Sequence, residues 1–280
     1  MKIINTIAAL KMRLAPIKQA HQKIAIVPTM GALHKGHVSL ITEAKQQADL
    51  VVCSIFVNPT QFTDPKDLEK YPRPLAHDIK MLEEAGCDVV FMPSVKEMYP
   101  APENWHIDLG EVEFLLEGEF RKGHYQGVTQ IVKKLFDAVN PDIAFFGQKD
   151  FQQVLMIRLM VEHFKMPVQI VSCPIIREPD GLAMSSRNIH LSQQDRQNAL
   201  VINQALQYVK THFKEESIEQ LLEKAKSMLQ GVPGVELDYF TIANRETLLP
   251  VADKSSDHLV ALVAAKVGQT RLIDNVLLQE

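Results

Sequence analysis

The residues best suited to chemistry lie between Pro28 and His37, in the run Pro-Thr-Met-Gly-Ala-Leu-His-Lys-Gly-His, where two imidazoles sit three positions apart around a glycine. Upstream, Ile24-Ala25-Ile26-Val27 is a continuous apolar run rich in β-branched residues, as a buried parallel strand requires. Downstream, Val38, Leu40, Ile41, Ala44 and Ala48 give an imperfect helical stripe. A strand ending in a turn that opens a helix aims unpaired backbone N–H groups and the positive end of the helix dipole at one spot, which stabilises polyphosphate. The run therefore reads as a nucleotide phosphate site, with the imidazoles as added donors. A metal centre is a weaker reading, because no third His, Cys or carboxylate stands at a matching spacing.

Other elements must hold this run in place. Apolar strand-like segments at 24–27, 50–57, 88–92, 142–146 and 168–176 alternate with helical patterns, which predicts an α/β fold with a Rossmann-like parallel sheet and helices on both faces. Val128, Ile131, Val132, Leu135, Phe136 and Val139 predict a helix ended by Asn140-Pro141. A second, deeply packed helix is expected from about Asp150, as its N-cap, to Phe164. From Ser192 the pattern changes to two helices, near 193–213 and 217–230, then three strands near 236–243, 258–267 and 271–278. The predicted organisation is a nucleotide- and substrate-binding domain over residues 1–182 and a smaller α+β lid domain over 183–280.

In open parallel sheets ligands gather at the carboxyl ends of the strands. Polar residues collect there in this chain: Asn58-Pro59-Thr60-Gln61, Gly147-Gln148-Lys149-Asp150, and Arg177 followed by Met184-Ser185-Ser186-Arg187-Asn188. Gly147 allows close backbone approach and Lys149 supplies a point charge suited to phosphate. Ser185, Ser186 and Arg187 offer two hydroxyls and a forked cation able to follow charge onto leaving pyrophosphate. Gln61 and Gln153 are neutral amides, which orient an attacking carboxylate without the loss of nucleophilicity that a tight ion pair brings.

Composition narrows the alternatives. The 280 residues are 46% apolar, with a formal net charge of −4 and no basic face to expect, so nucleic acid is not an expected partner. Cys53, Cys87 and Cys173 are odd in number and sit in apolar or strand-like runs, which suits reduced, buried thiols in a cytoplasmic compartment. Lys2, Lys11 and Arg13 interrupt the first apolar residues, and no uncharged stretch approaches the length of a membrane span, so neither export signal nor membrane association is expected.

Together, Pro28 to His37, the Asn58 to Gln61 loop, Tyr71-Pro72-Arg73, Gly147 to Asp150 with Gln152-Gln153, and Asp180 to Asn188 closely resemble the pantothenate synthetase family across nearly the whole chain. That family belongs to the superfamily of nucleotidylyltransferases and class I aminoacyl-tRNA synthetases, marked by a His-x-Gly-His turn and a Lys-Met-Ser-Lys-Ser-type loop. Here the second signature takes the form Met184-Ser185-Ser186-Arg187. The resemblance implies condensation of pantoate with β-alanine, driven by cleavage of ATP to AMP and pyrophosphate with Mg²⁺, through a pantoyl adenylate. It implies His37, His34, Lys149 and Arg187 as catalytic residues, with His37 as proton donor. An ATP site would be formed by Met30, Gly31, Ala32, Leu33, His34, Lys35, Gly36, His37, Gly147, Gln148, Lys149, Asp150, Ile176, Met184, Ser185, Ser186 and Arg187. Gln61 and Gln153 would hold pantoate, the metal ligands are unassigned, and a homodimer is implied. The segment Arg121 to Val128 departs from the family pattern, with Lys122 in place of proline and Tyr125 in place of phenylalanine. Competing readings are a nucleotidylyltransferase that transfers AMP to a phosphate-bearing acceptor, which would need a basic acceptor site, and an idle nucleotide-binding module. A tRNA-charging role lacks the basic accessory domain it would need.

Overall fold

In the computed structural model, which describes residues 1–278, the chain divides into two compact units: residues 1–147 with 152–174, and residues 148–151 with 175 onward. Within the first unit the order is β1 (Lys2–Ile4), α1 (Ile7–Gln19), β2 (Ile24–Thr29), α2 (Lys35–Gln47), β3 (Leu50–Ile55), α3 (Pro65–Lys70), α4 (Leu75–Glu84), β4 (Val89–Phe91) and α5 (Val95–Met98). It continues with α6 (Glu117–Phe120), α7 (His124–Val139), β5 (Ile143–Gly147), α8 (Phe151–His163) and β6 (Gln169–Cys173). These six strands pair in parallel, in the order β1-β4-β3-β2-β5-β6. The strand order reverses between β2 and β5, so the carboxyl ends of these two strands flank the crevice where such sheets bind ligands.

Strand periodicity splits the core into two layers. Ile24 and Ile26 face one layer with Leu10, Leu14, Val128, Val132, Phe136, Val154 and Met160, from α1, α7 and α8. Ala25 and Val27 face the other with Leu40, Ile41, Ala44 and Leu82, from α2 and α4. Helices therefore cover both faces, as the alternating sequence pattern predicts. β1 lies outside the predicted strands: three residues with a lysine give no period to read, and the strand exists only because it pairs with β4 from Lys2↔Val89 to Ile4↔Phe91.

The second unit contains α9 (Gln193–His212), α10 (Ile218–Gln230), β7 (Val235–Asn244), β8 (Leu259–Val267) and β9 (Thr270–Leu277). Its strands form an antiparallel sheet in the order β7-β8-β9, and its core includes Ile202, Leu206, Leu221, Phe240, Ile242 and Val263. Serines cap both helices: Ser192 accepts from Asp195 N, and Ser217 forms a capping box with Gln220. The units divide at Pro174/Ile175, upstream of the expected 182/183. Residues 175–183 go with the second unit because Arg177 pairs with Asp274 and forms a β-bridge to Ala183.

Candidate functional site

Within the first unit, β2 delivers Met30 to the sheet edge and the chain then turns into α2. Gly31 and Ala32 both adopt left-handed backbone, with φ of 80° and 50°. A Cβ on Gly31 would meet Asp78 Oδ2 at 3.0 Å and Ile55 Cγ2 at 3.1 Å, so the turn has no room for a side chain there. Asp78, on α4 and 1% exposed, closes the turn: its Oδ2 accepts from Ala32 N at 2.9 Å and its Oδ1 from Leu33 N at 2.8 Å.

His34 is the N-cap of α2 and forms a reciprocal pair with His37. The Nδ1 of His34 accepts from Gly36 N at 3.2 Å, and the Nδ1 of His37 accepts from His34 N at 3.3 Å, with ring centroids 4.1 Å apart. An imidazole whose Nδ1 accepts a backbone N–H carries the proton of its neutral form on Nε2, so both rings are set to donate from Nε2. Lys35 is exposed at the start of the helix.

The expectation of open amides in this turn is corrected by the structure. The amides of Gly31, Ala32, Leu33, His34, Gly36, His37 and Val38 are all taken up inside it, by Thr29 Oγ1, the Asp78 carboxylate, the two Nδ1 atoms and His34 O. The turn is therefore not a set of unpaired backbone donors. What it offers an anion is the helix dipole and the imidazole Nε2–H groups.

Gln61 lies at the end of a 3₁₀ turn, Pro59–Gln61, that follows β3. Tyr99 Oη donates to Asn58 Oδ1 at 2.7 Å, and Asn58 Nδ2 donates to Gln61 Oε1 at 3.1 Å and to Gly127 O at 3.0 Å. Burial pushes the Tyr99 phenol up to about 12, which keeps it a donor. With its oxygen engaged, Gln61 turns Nε2 toward Met30 Sδ, 3.2 Å away. The Gln61 carbonyl is in turn held by His124 Nδ1 at 2.8 Å. Gly127 makes this packing possible, because a Cβ there would stand 2.2 Å from Thr60 O and 2.7 Å from Gln61 Cα. Gln61 and the histidine turn thus meet at Met30. Gln153 sits half-buried on the first turn of α8, and its amide has no hydrogen-bond partner among the described residues. Its neighbour Gln152 is structural: it accepts from Glu117 N and donates to Val112 O and Leu115 O. Lys122, where the family pattern has proline, is exposed just before the Gly123 turn that starts α7.

Gly147 ends β5, and a Cβ built on it would meet nothing within 4 Å, which leaves its backbone open to close approach. Gln148–Asp150 form a 3₁₀ turn belonging to the second unit. Asp150 is exposed at the end of that turn, directly before Phe151, the first residue of α8, which is the N-cap position expected for it. Asn275 of β9 braces the turn, donating to Gln148 O and Lys149 O at 3.0 Å each and accepting from Gln148 Nε2 at 3.0 Å. In the same unit, Met184 N donates to Ile176 O at 3.0 Å and Ser185 caps the 3₁₀ turn Ser186–His190, accepting from Arg187 N at 3.2 Å. Asn275 lies outside the sequence motifs, and Asn58, His124 and Gly127 lie within motif segments without a role of their own assigned there.

Known proteins share the sequence and the fold of this chain. The family model described as Pantoate-beta-alanine ligase matches residues 2–277. A pantothenate synthetase from Geobacter sulfurreducens is 47% identical over 282 residues, covering 100% of this chain and 99% of its own. The crystal structure of pantothenate synthetase from Thermus thermophilus superposes with a TM-score of 0.93 at 39% identity, covering 100% of both chains. The pantoate-beta-alanine ligase from Francisella tularensis, solved as a complex with beta-gamma ATP and beta-alanine, gives a TM-score of 0.80 at 37% identity, covering 99% of this chain and 97% of that one. With sequence and fold matching over the full length, the chain belongs to the pantoate-β-alanine ligase family and is a ligase.

Proposed function

We propose that this protein condenses pantoate with β-alanine in two steps. A pantoate carboxylate oxygen attacks the α-phosphorus of ATP, the bond to the β-phosphoryl oxygen breaks, and pyrophosphate leaves a pantoyl adenylate. The β-alanine amine then attacks the acyl carbon, the carbon–oxygen bond to AMP breaks, and the amine gives up a proton as the amide forms. The observation that carries this reading is the Gln61 amide, whose Nε2 is aimed at Met30, the residue that opens the histidine turn. It sets a neutral donor suited to a nucleophilic carboxylate beside groups suited to phosphate.

In this reading the Nε2–H groups of His34 and His37 contact the phosphates, and His37 donates to the departing charge. Lys149 and Arg187 follow that charge onto pyrophosphate, with Ser185, Ser186, the Met30 backbone, the turn residues Gly31 to Gly36, and Gly147, Gln148, Asp150, Ile176 and Met184 lining the ATP site. Gln61 and Gln153 hold pantoate. Most of the rate gain comes from holding two reactants in line and stabilising charge as it moves. Among the described residues no three His, Cys, Asp or Glu side chains gather as a metal cage, and both Asp78 oxygens are engaged by backbone amides. Mg²⁺ enters in this reading as part of the nucleotide substrate, carried on its phosphate oxygens and water. A cytoplasmic homodimer is the expected working form.

The test uses pantoate labelled with ¹⁸O in its carboxylate. Attack by that oxygen predicts label in AMP, AMP release that depends on β-alanine, and pantoate-dependent exchange of pyrophosphate into ATP without any amine. Unlabelled AMP, or an adenylated phosphate product formed without an amine, overturns the reading.

A further inference from the structure

Adjacent residues on β9, Asp274 and Asn275, are 3% and 1% exposed, and between them they reach two segments far apart in sequence. Asn275 holds the Lys149 turn through the three hydrogen bonds described above. Asp274 accepts from Arg177 Nη1 at 2.6 Å and Nη2 at 3.0 Å, and its Oδ1 also accepts from Asn275 N at 2.8 Å. Arg177 Nη1 donates further to Gly181 O at 3.2 Å. The Arg177↔Ala183 bridge and the Met184 N to Ile176 O bond then fix the segment that leads into Ser185, Ser186 and Arg187.

We infer that Asp274 and Asn275 are positioning residues that set Lys149 and the Ser185 to Arg187 segment at a fixed spacing from one short piece of strand. A buried carboxylate or amide is costly unless its hydrogen bonds are made, and every bond described here is made to one of these two segments or between the two residues themselves. An ion pair buried this way stabilises a fold no better than apolar side chains of similar volume, so what the pair supplies here is geometry. Asn275 takes both carbonyls of the Gln148-Lys149 peptide pair, which leaves the Lys149 backbone one orientation. Arg177 binds Asp274 through two parallel hydrogen bonds, which fixes the angle at which the second segment departs. This inference rests on the proposed contacts of Lys149 and Arg187 with ATP phosphates and adds to them the residues that hold those contacts in register.

The experiment compares steady-state constants of the full-length wild type with Asn275→Ala, Asp274→Asn, Lys149→Ala and the double variant Asn275→Ala/Lys149→Ala. Asn275→Ala is expected to raise KM for ATP or lower kcat about tenfold or more, by misplacing a charge by a fraction of an ångström, with KM for pantoate within about twofold of wild type. The double variant should lose little beyond Lys149→Ala alone, because Asn275 acts through that lysine. Equal rises in KM for ATP and pantoate that follow the drop in thermal midpoint, or strictly additive losses, overturn the inference. If Asn275→Ala does not fold, the near-isosteric Asn275→Asp, which places a carboxylate oxygen against the two carbonyls, carries the same comparison. An active enzyme in which Lys149→Ala is silent overturns the reading of the ATP site itself. A strong Lys149→Ala effect with silent Asn275→Ala and Asp274→Asn overturns only the positioning role.

Discussion

His34 and His37 each serve two purposes through two different nitrogens. Nδ1 caps the helix and fixes the ring, while Nε2 carries the proton of the neutral form. Replacing His37 by Ala should therefore cost about 1 kcal/mol of stability through the lost cap, and separately about 10²- to 10⁴-fold in kcat through the lost donor. Urea unfolding alongside single-turnover rates separates the two losses; a rate loss no larger than the stability loss would reduce the residue to a cap. Asp78 makes the opposite case, a carboxylate placed for structure. Asp78→Asn sets an amide N–H against one of two backbone N–H groups and should cost about 1–3 kcal/mol. Because it deforms the histidine turn, kcat should fall with it, while β-alanine affinity stays near wild type.

Among the elements, the turns carry the constraint. Gly31→Ala forces a side chain into left-handed backbone against Asp78 and Ile55, and about 1–3 kcal/mol of destabilisation is expected by thermal unfolding. Gly127→Ala places its Cβ against Thr60 O and must push the Pro59–Gln61 turn off α7, so KM for pantoate should rise more than KM for ATP. Equal rises would detach Gln61 from pantoate. The strand, turn and helix around His34 are legible in sequence because they are contiguous, and α9, α10 and β7 to β9 because their apolar periods are long. The groups that hold the site are not. Asp78 meets Ala32 across 46 positions, His124 meets Gln61 across 63, and Asn275 meets Gln148 across 127. No local pattern announces a hydrogen bond of that reach, and a lone Asp or Asn in a helix or strand reads as an ordinary polar residue. The same limit explains the expectation of open amides at the histidine turn: the acceptors that consume them include a residue from a distant helix.

For the molecule as a whole, the three cysteines set an alkaline boundary. All are buried and free of disulfides, and burial pushes Cys87 and Cys173 up to about 11 and Cys53 well above the usual thiol range. The folded state therefore keeps thiol protons that the unfolded chain surrenders near pH 9, so stability falls as pH rises from there toward 11. The slope approaches about 1.4 kcal/mol per pH unit for each such group. Chemical unfolding at stepped pH should trace this decline, and Cys87→Ala should flatten it. Alkylating reagents at about pH 8, below the range where these thiols ionise, should leave the native protein unmodified. The chain also crosses between its two compact units three times, because four residues, Gln148–Phe151, go with the second unit although both of their flanks go with the first. A fragment starting at residue 175 would strip Asn275 of its carbonyl acceptors, and one ending at 174 would leave the Gln148 and Lys149 carbonyls without the Asn275 amide. Neither half is a transferable module: grafting, truncation or circular reconnection at that junction should yield insoluble pieces rather than weakened enzymes.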